Sequence, residues 1–332
     1  MEKLLKELCE LYGPSGREDA VRETLRGLVA DLADEVRVDA LGNLIVRARA
    51  GTEGGKRVML AAHMDEIGLV VSHIDEKDFL RFAPVGGLFP LTLTGQRVRF
   101  ASGQVGVIGL EPIESKNETE LRKMYIDVGA GSREEAEKMV RVGDIACMDR
   151  QFALAGRRAI GKAMDDRVGC AVLVEVLRAL SHSPHEVYIV FTAQEEVGLR
   201  GATTSAYGVN PDLAIAVDVT GTGDTPEARP MAVALGKGPA IKVMDGGMLA
   251  HPGVKDLLIR TAEAHQIPYQ REVLLGGTTD ARAIQTARSG VPAGTLSIPT
   301  RYVHTTSEMV DLDDVAHATR LLVALLEGPI EI

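Results

Sequence analysis

Four runs of apolar residues constrain the fold of this chain more than any other feature. Each run ends at or close to a residue that can bind a metal ion. Uninterrupted apolar runs are typical of strands that are buried on both faces, as in the parallel sheet of an α/β protein. In open α/β sheets, binding sites form at the carboxyl ends of the strands. The runs are Val58–Ala62, Val187–Phe191, Leu213–Val217 and Gly294–Ile298.

The polar residues that follow these runs predict a metal site. A further acidic candidate precedes an apolar helix, where N-terminal N–H groups help to hold an anion. Together they offer two histidines and three carboxylates, a set that suits zinc, cobalt or manganese rather than calcium. Spacing alone does not decide between neighbouring acids. The candidates are His63, Glu195 or Glu196, Asp218, His304, and Asp165 or Asp166.

Two short spacings indicate how roles are divided at this site. Residues i and i+2 of a strand point to the same side, so Asp65 can accept a hydrogen bond from the far ring nitrogen of His63 and orient that ring. Successive side chains of an extended backbone point apart. One member of the pair Glu195-Glu196 can therefore bind a metal while the other serves as a general base.

A segment with a different sequence pattern lies between the first two runs. From about Gly68 to about Ala155, short β-like pieces alternate with glycines, which indicates a small β-rich domain. We therefore predict a catalytic α/β domain of residues 1–67 and 156–332, interrupted by an inserted β domain of residues 68–155.

Local signals predict individual elements. The segments Val36–Val38 and Leu44–Val46 flank a turn and predict a hairpin. The serine and glutamate of Ser15–Glu18 and of Ser132–Glu135 have the spacing of a capping box, in which the serine caps the start of a helix.

Composition and charge exclude several classes of partner. The 332-residue chain has a formal charge of −10 and no basic cluster, which argues against nucleic acid and anionic membrane. Its N-terminus lacks the apolar core of a signal peptide, and no run has the length of a transmembrane helix. The cysteines Cys9, Cys147 and Cys170 are odd in number and far apart, which predicts reduced, buried thiols in a cytoplasmic protein.

Five short motifs occur in order along the chain: His63-Met-Asp65-Glu, Ala-Met-Asp165-Asp166-Arg, Gln-Glu195-Glu196-Val-Gly, Ala-Val-Asp218-Val-Thr and Arg-Tyr-Val-His304. In this order they resemble the motifs of the dinuclear metallo-aminopeptidases, in the branch of glutamyl aminopeptidase and the tetrahedral (TET) aminopeptidases. The resemblance covers nearly the whole chain. It implies an α/β, three-layer, mixed-sheet metallopeptidase (phosphorylase/hydrolase-like) domain with an inserted small β-barrel (PDZ-like) domain.

The resemblance also implies a role for each site residue. Two divalent ions are expected, zinc or cobalt first and manganese next. His63 and Asp218 would serve opposite ions, Asp165 would bridge them, and Glu196 and His304 would each bind one. Glu195 would be the general base and Asp65 would orient His63.

The same resemblance implies the reaction and the assembly. An aminopeptidase of this kind removes N-terminal residues from peptides with a free α-amino group, using a water that the two metals activate. The β-rich insert would form dimers, and the dimers would assemble into a homododecamer.

Three other functions share part of this pattern. A metal-dependent deacylase would share the metals and the fold. A glycosidase requires two carboxyl groups that face each other across roughly 5–9.5 Å, which adjacent residues do not provide. A non-catalytic metal-binding protein leaves the second glutamate without a purpose. The preferred N-terminal residue stays open: Arg271, Lys237 or Arg301 would favour an acidic side chain, and an apolar pocket would favour leucine.

Overall fold

In the computed structural model, which describes residues 1–332, the chain forms eight α-helices and seventeen strands. The helices are α1 (Glu2–Glu10), α2 (Asp19–Val29), α3 (Arg133–Met139), α4 (Met164–Ala179), α5 (Arg200–Val209), α6 (Pro252–Ala264), α7 (Asp280–Gln285) and α8 (Leu312–Glu327). None of them is long and apolar enough to cross a membrane.

The strands follow the pattern of apolar runs in the sequence. They are β1 (Ala33–Val38), β2 (Leu44–Ala48), β3 (Arg57–His63), β4 (Gly68–Ile74), β5 (Leu80–Val85), β6 (Arg97–Phe100), β7 (Val105–Leu110), β8 (Met124–Asp127), β9 (Ile145–Met148), β10 (Ala153–Ala155), β11 (Arg158–Gly161), β12 (Glu186–Thr192), β13 (Leu213–Thr220), β14 (Ala240–Met244), β15 (Gln270–Val273), β16 (Ala293–Arg301) and β17 (Glu308–Asp311).

Eleven of these strands form one mixed sheet. Its order is β1-β2-β12-β3-β13-β16-β17-β11-β10, and β14 joins β16 and carries β15. The four strands that contain the apolar runs, β12, β3, β13 and β16, are neighbours and run parallel. Their carboxyl ends therefore meet at one edge of the sheet, where the sequence predicts a site.

Helices cover both faces of the sheet. Along β3, Val58, Leu60 and Ala62 belong to one apolar cluster, which includes residues of α1, α2, α4, α6 and α8. Met59 and Ala61 belong to a second cluster, which includes residues of α5 and α7. Because both faces of the strand are buried, its apolar run has no polar alternation. The expected three-layer arrangement is confirmed.

The other six strands close into an antiparallel barrel in the order β4-β5-β8-β7-β6-β9, with β9 pairing back to β4. Closure leaves no free sheet edge. Residues such as Leu69, Val98 and Ile126 fill the barrel with a core separate from the two clusters of the sheet. After the barrel, β10 pairs with β11 and returns the chain to the main sheet. The predicted insertion of a small β-barrel into an α/β domain is confirmed.

The predicted hairpin and one of the two predicted helix caps are present. Strands β1 and β2 pair antiparallel around the turn. The side chain of Ser132 accepts the N–H of Glu135 at the start of α3.

The second predicted cap is wrong. Helix α2 begins at Asp19, after Glu18, and has no side-chain cap. Ser15 instead donates its hydroxyl to the carboxylate of Asp65 at 2.6 Å. A long-range partner, which local spacing does not reveal, has taken the hydroxyl that would otherwise cap the helix.

Candidate metal centre

The fold brings the predicted site residues together at the carboxyl edge of the sheet. His63 is the last residue of β3, and Asp218 lies near the end of β13. Glu195 and Glu196 follow β12, and His304 follows β16. The remaining candidates, Asp165 and Asp166, lie at the start of α4, where the backbone departs from helical angles and the peptide bond between them is cis.

Asp165 lies between the two histidines. Its Oδ1 is 2.9 Å from Nε2 of His63, and its Oδ2 is 3.3 Å from Nε2 of His304. The same nitrogen of His304 is 3.3 Å from Oε2 of Glu196, and Nε2 of His63 is 4.0 Å from Oδ1 of Asp218. The side chains of His63 and Asp218 approach each other from adjacent parallel strands.

Two overlapping groups of side chains could hold a metal ion. One consists of His63, Asp165 and Glu196, and the other of His63, Asp166 and Asp218. Asp166 is also engaged by the backbone: its Oδ2 accepts the N–H of His63 at 3.2 Å, and its Oδ1 accepts that of Gly169 at 3.0 Å. Its carboxylate is thus committed to structural bonds, whereas the two oxygens of Asp165 face the two imidazoles.

Asp65 supports the site mainly by accepting hydrogen bonds from the backbone of the two glutamates. Its Oδ1 accepts the N–H of Glu195 at 2.9 Å, and its Oδ2 accepts that of Glu196 at 3.1 Å and the hydroxyl of Ser15. Nδ1 of His63 is 3.1 Å from the backbone oxygen of Asp65 and 3.5 Å from its Oδ1. The imidazole is therefore held from both the backbone and the carboxylate of Asp65.

The buried carboxylates of the site favour a positive charge beside them. Burial, together with the charges of neighbouring carboxylates, raises the pKa of Glu195, Asp218 and Asp166 well above the ordinary range. Carboxylates packed this closely cannot all ionise without positive charge beside them.

The same crowding of carboxylates also raises the pKa of the two histidines, because it stabilises their protonated rings. Burial alone would lower the pKa of His304, but hydrogen bonds with Asp165 and Glu196 outweigh it and raise the pKa to about 12. Burial is likewise outweighed at His63, where bonds with Asp165 and Asp65 raise the pKa well above its usual value. A metal ion that binds these ring nitrogens would displace protons from them.

One buried acid at the site has no signal in the sequence. Glu308, at the start of β17, accepts the N–H of Asp165 at 3.0 Å and the N–H of His304 at 2.7 Å. Burial, and then the charge of Asp165, raise its pKa to about 8. An acidic residue at the start of a short strand is common, so the sequence does not mark Glu308 as part of the site. Its contact with the backbone of Asp165 depends on how α4 packs against β17.

A cleft of about 970 Å³ opens over the centre. Its lining includes Lys242, which is buried and lies 2.6 Å from Glu272, a pair that the sequence does not suggest. Arg282 also lines it. The three residues proposed to select an acidic side chain, Arg271, Lys237 and Arg301, do not line the cleft.

The inserted barrel supplies one wall of this cleft. A β-carbon on Gly87 would lie 2.7 Å from Nδ1 of His304, and one on Gly86 would lie 3.1 Å from Oε2 of Glu196. Phe89, which is 55% exposed, lines the cleft, and its ring centre is 6.2 Å from that of His304. The loop after β5 can pack this closely on the candidate centre because it carries no side chain at two successive positions.

The fold and this centre define a class of protein: a mixed-sheet α/β protein with a candidate metal centre at its sheet edge and an inserted β-barrel beside it. The family model of the M42 glutamyl aminopeptidases matches residues 42–321. The lysyl aminopeptidase of Pyrococcus furiosus is 38% identical over 339 residues, covering 98% of this chain and 96% of that protein.

Two solved structures agree with this match. Aminopeptidase APDkam598 of the archaeon Desulfurococcus kamchatkensis is 47% identical, with a TM-score of 0.93, covering 98% of this chain and 94% of that one. PhTET1-12s, described as a dodecamer in the asymmetric unit, is 34% identical, with a TM-score of 0.90 and 99% of both chains covered. The chain therefore belongs to the M42 glutamyl aminopeptidase family. It is a metallo-aminopeptidase, a hydrolase, and the predicted resemblance to the glutamyl and TET aminopeptidases is confirmed.

Proposed function

We propose that the centre binds two divalent metal ions and that Glu195 is the general base for removal of N-terminal residues from peptides. His63 and Asp218 would hold one ion, Glu196 and His304 the other, with Asp165 between them. One observation carries the proposal: the two oxygens of Asp165 lie 2.9 Å and 3.3 Å from the two imidazole nitrogens. A carboxylate in that position suits a bridge between two ions.

The residues present fit such ions. The donors are imidazole nitrogens and carboxylate oxygens, which zinc, cobalt and manganese accept. The raised pKa of Asp218 follows from burial and from neighbouring negative charge, and bound cations would remove that cost. Asp65 fits a supporting role, because its carboxylate holds the backbone of both glutamates.

When bound, divalent ions supply Lewis acidity, which lowers the pKa of water and stabilises an oxyanion. The protein supplies the proton transfers. Glu195 lines the cleft beside the candidate ligands, and we propose that it takes a proton from the attacking water and delivers it to the leaving amine.

The substrate is proposed to be a peptide with a free N-terminus. The support is the match to the aminopeptidase family, since an aminopeptidase acts at the free N-terminus of a peptide. The lysyl relative and the glutamyl family name show that side-chain preference varies among such proteins.

We further propose that residues 68–155, which contain the barrel, mediate dimerisation and that dimers assemble into a homododecamer. The support is the dodecamer of PhTET1-12s, a protein with the same fold. Light scattering tests it, since a monomer of 35.5 kDa in solution would contradict the assembly. A cytoplasmic location is proposed from the three buried, unpaired cysteines, and cell fractionation tests it.

The proposed chemistry is tested with protein stripped by EDTA. Hydrolysis of aminoacyl-p-nitroanilides should disappear, and zinc, cobalt or manganese should each be added back to find which restores it. Activity that survives complete removal of metal would contradict the proposal. N-acyl amino acids serve as the control substrate, because a deacylase would cleave them and an aminopeptidase would not.

A further inference from the structure

One buried carboxylate connects the two segments that flank the candidate centre. Glu308, 2% exposed, accepts the N–H of His304 through Oε1 at 2.7 Å and the N–H of Asp165 through Oε2 at 3.0 Å. Asp165 precedes the regular part of α4, and His304 follows β16. No other side chain of the site holds the backbone of both segments.

Neither amide has a ready partner in secondary structure. Asp165 is in the first turn of α4, where an N–H has no intrahelical acceptor. His304 lies in a left-handed conformation, with φ of 61°, outside any strand. A buried N–H without an acceptor destabilises the folded protein. Glu308 satisfies both amides and in doing so fixes the distance between the two segments.

That distance matters because the side chains of the same two residues face each other. Oδ2 of Asp165 is 3.3 Å from Nε2 of His304. We propose that Glu308 is a positioning residue that sets the geometry of these two groups and thereby the affinity of the ion they would share. The inference rests on the proposed function, in which Asp165 and His304 bind metal.

The chain contains a matched control for this bonding pattern. Asp314, also buried, accepts the N–H of Gly236 and the N–H of Gly238, each at 2.7 Å, and lies outside the cleft. An amide side chain has only one acceptor oxygen. Glu308→Gln and Asp314→Asn therefore each remove one of two backbone bonds while preserving side-chain shape.

The experiment compares wild type, Glu308→Gln and Asp314→Asn after metal removal. Zinc and cobalt binding is titrated by equilibrium dialysis, thermal unfolding is recorded, and turnover is measured over a range of metal concentrations. We expect both variants to unfold at lower temperature than the wild type. Only Glu308→Gln should bind the ion shared by Asp165 and His304 about 10–100-fold less tightly than the wild type does. The turnover of this variant should recover as the metal concentration rises.

Two outcomes separate failure of this inference from failure of the proposed function. A wild type that binds two ions, with a Glu308→Gln variant that titrates like it, would overturn the positioning role alone. A wild type that binds no ion would overturn the proposed function. Glu308→Asp provides a second variant with both oxygens on a shorter side chain, and it should weaken the same ion.

A measurement without any variant covers the case in which substitution prevents folding. In metal-free wild-type protein, the amide hydrogens of Asp165 and His304 should exchange slowly with solvent, because Glu308 accepts both. Fast exchange of the two amides would overturn the proposal.

Discussion

The carboxylate of Asp65 accepts the backbone N–H of Glu195 at 2.9 Å. This bond fixes the peptide of the proposed base without using its side chain. We therefore predict that Glu195→Gln binds as much metal as the wild type while kcat falls about 10²–10⁴-fold, the usual contribution of a general base. Elemental analysis and turnover of an aminoacyl-p-nitroanilide measure the two quantities. An active variant, or one that has lost its metal, would refute the assignment.

The close approach of Gly87, in the loop after β5, to His304 gives a second prediction. A methyl group on Gly87 would meet Nδ1 of His304 at 2.7 Å, so the imidazole or the loop has to move. Displacement of a reacting group by about 1 Å can cost about 100-fold in rate. We expect Gly87→Ala to lower kcat/KM by at least about 10-fold.

The matched control is Gly131→Ala, in the same inserted segment. Its added methyl group would lie 3.4 Å from a single carboxylate oxygen of Glu135, an exposed residue. This variant should keep kcat/KM within about twofold of the wild type. Equal effects at Gly87 and Gly131 would show that the barrel loop does not position His304.

A buried ionic cluster beside the centre predicts a large loss of stability. Glu66, 2% exposed, lies 2.7 Å from Nζ of Lys162 and 3.3 Å from Nη2 of Arg167. Glu66→Gln leaves two buried cations with too little negative charge, which costs about 3–5 kcal/mol. Denaturant unfolding of metal-free protein measures the change. Glu137→Gln breaks an exposed pair with Arg133 and should change stability little; similar losses in both variants would contradict this role for Glu66.

The cysteines predict slow thiol chemistry. Burial raises the pKa of Cys9 to about 12 and that of Cys147 to about 11, and it raises that of Cys170 well above the usual range. Because the thiolate is the reactive form, little of it exists at pH 8, and reactivity should increase only as pH rises toward these values. A thiol reagent at pH 8 should label almost no cysteine in native protein and all three after unfolding. Rapid labelling of the native protein would contradict the burial of these thiols.

The parallel strands and the residues at their carboxyl ends could be predicted because both follow from local pattern. An uninterrupted apolar run such as Leu213–Val217 requires burial on both faces, and the sheet supplies it. Parallel strands then bring residues such as His63 and Asp218 to one edge, whatever their distance in sequence.

The supporting contacts could not be predicted because they depend on how distant segments approach. Ser15 has the local spacing of a helix cap, but its hydroxyl goes to Asp65. Glu308 and Gly87 acquire their roles only when β17 and the barrel loop pack against Asp165 and His304. No periodicity encodes such contacts. The approach of His63 to Asp218 likewise depends on the strand order, which local pattern does not give.

Anomalous diffraction from crystals loaded with zinc or cobalt tests the central claim most directly. Two peaks are expected in each subunit, one beside His63 and Asp218 and one beside Glu196 and His304, with the carboxylate of Asp165 between them. A single peak would contradict the proposed dinuclear centre, and two peaks bridged by Asp166 with Asp165 unligated would contradict the proposed bridging role of Asp165.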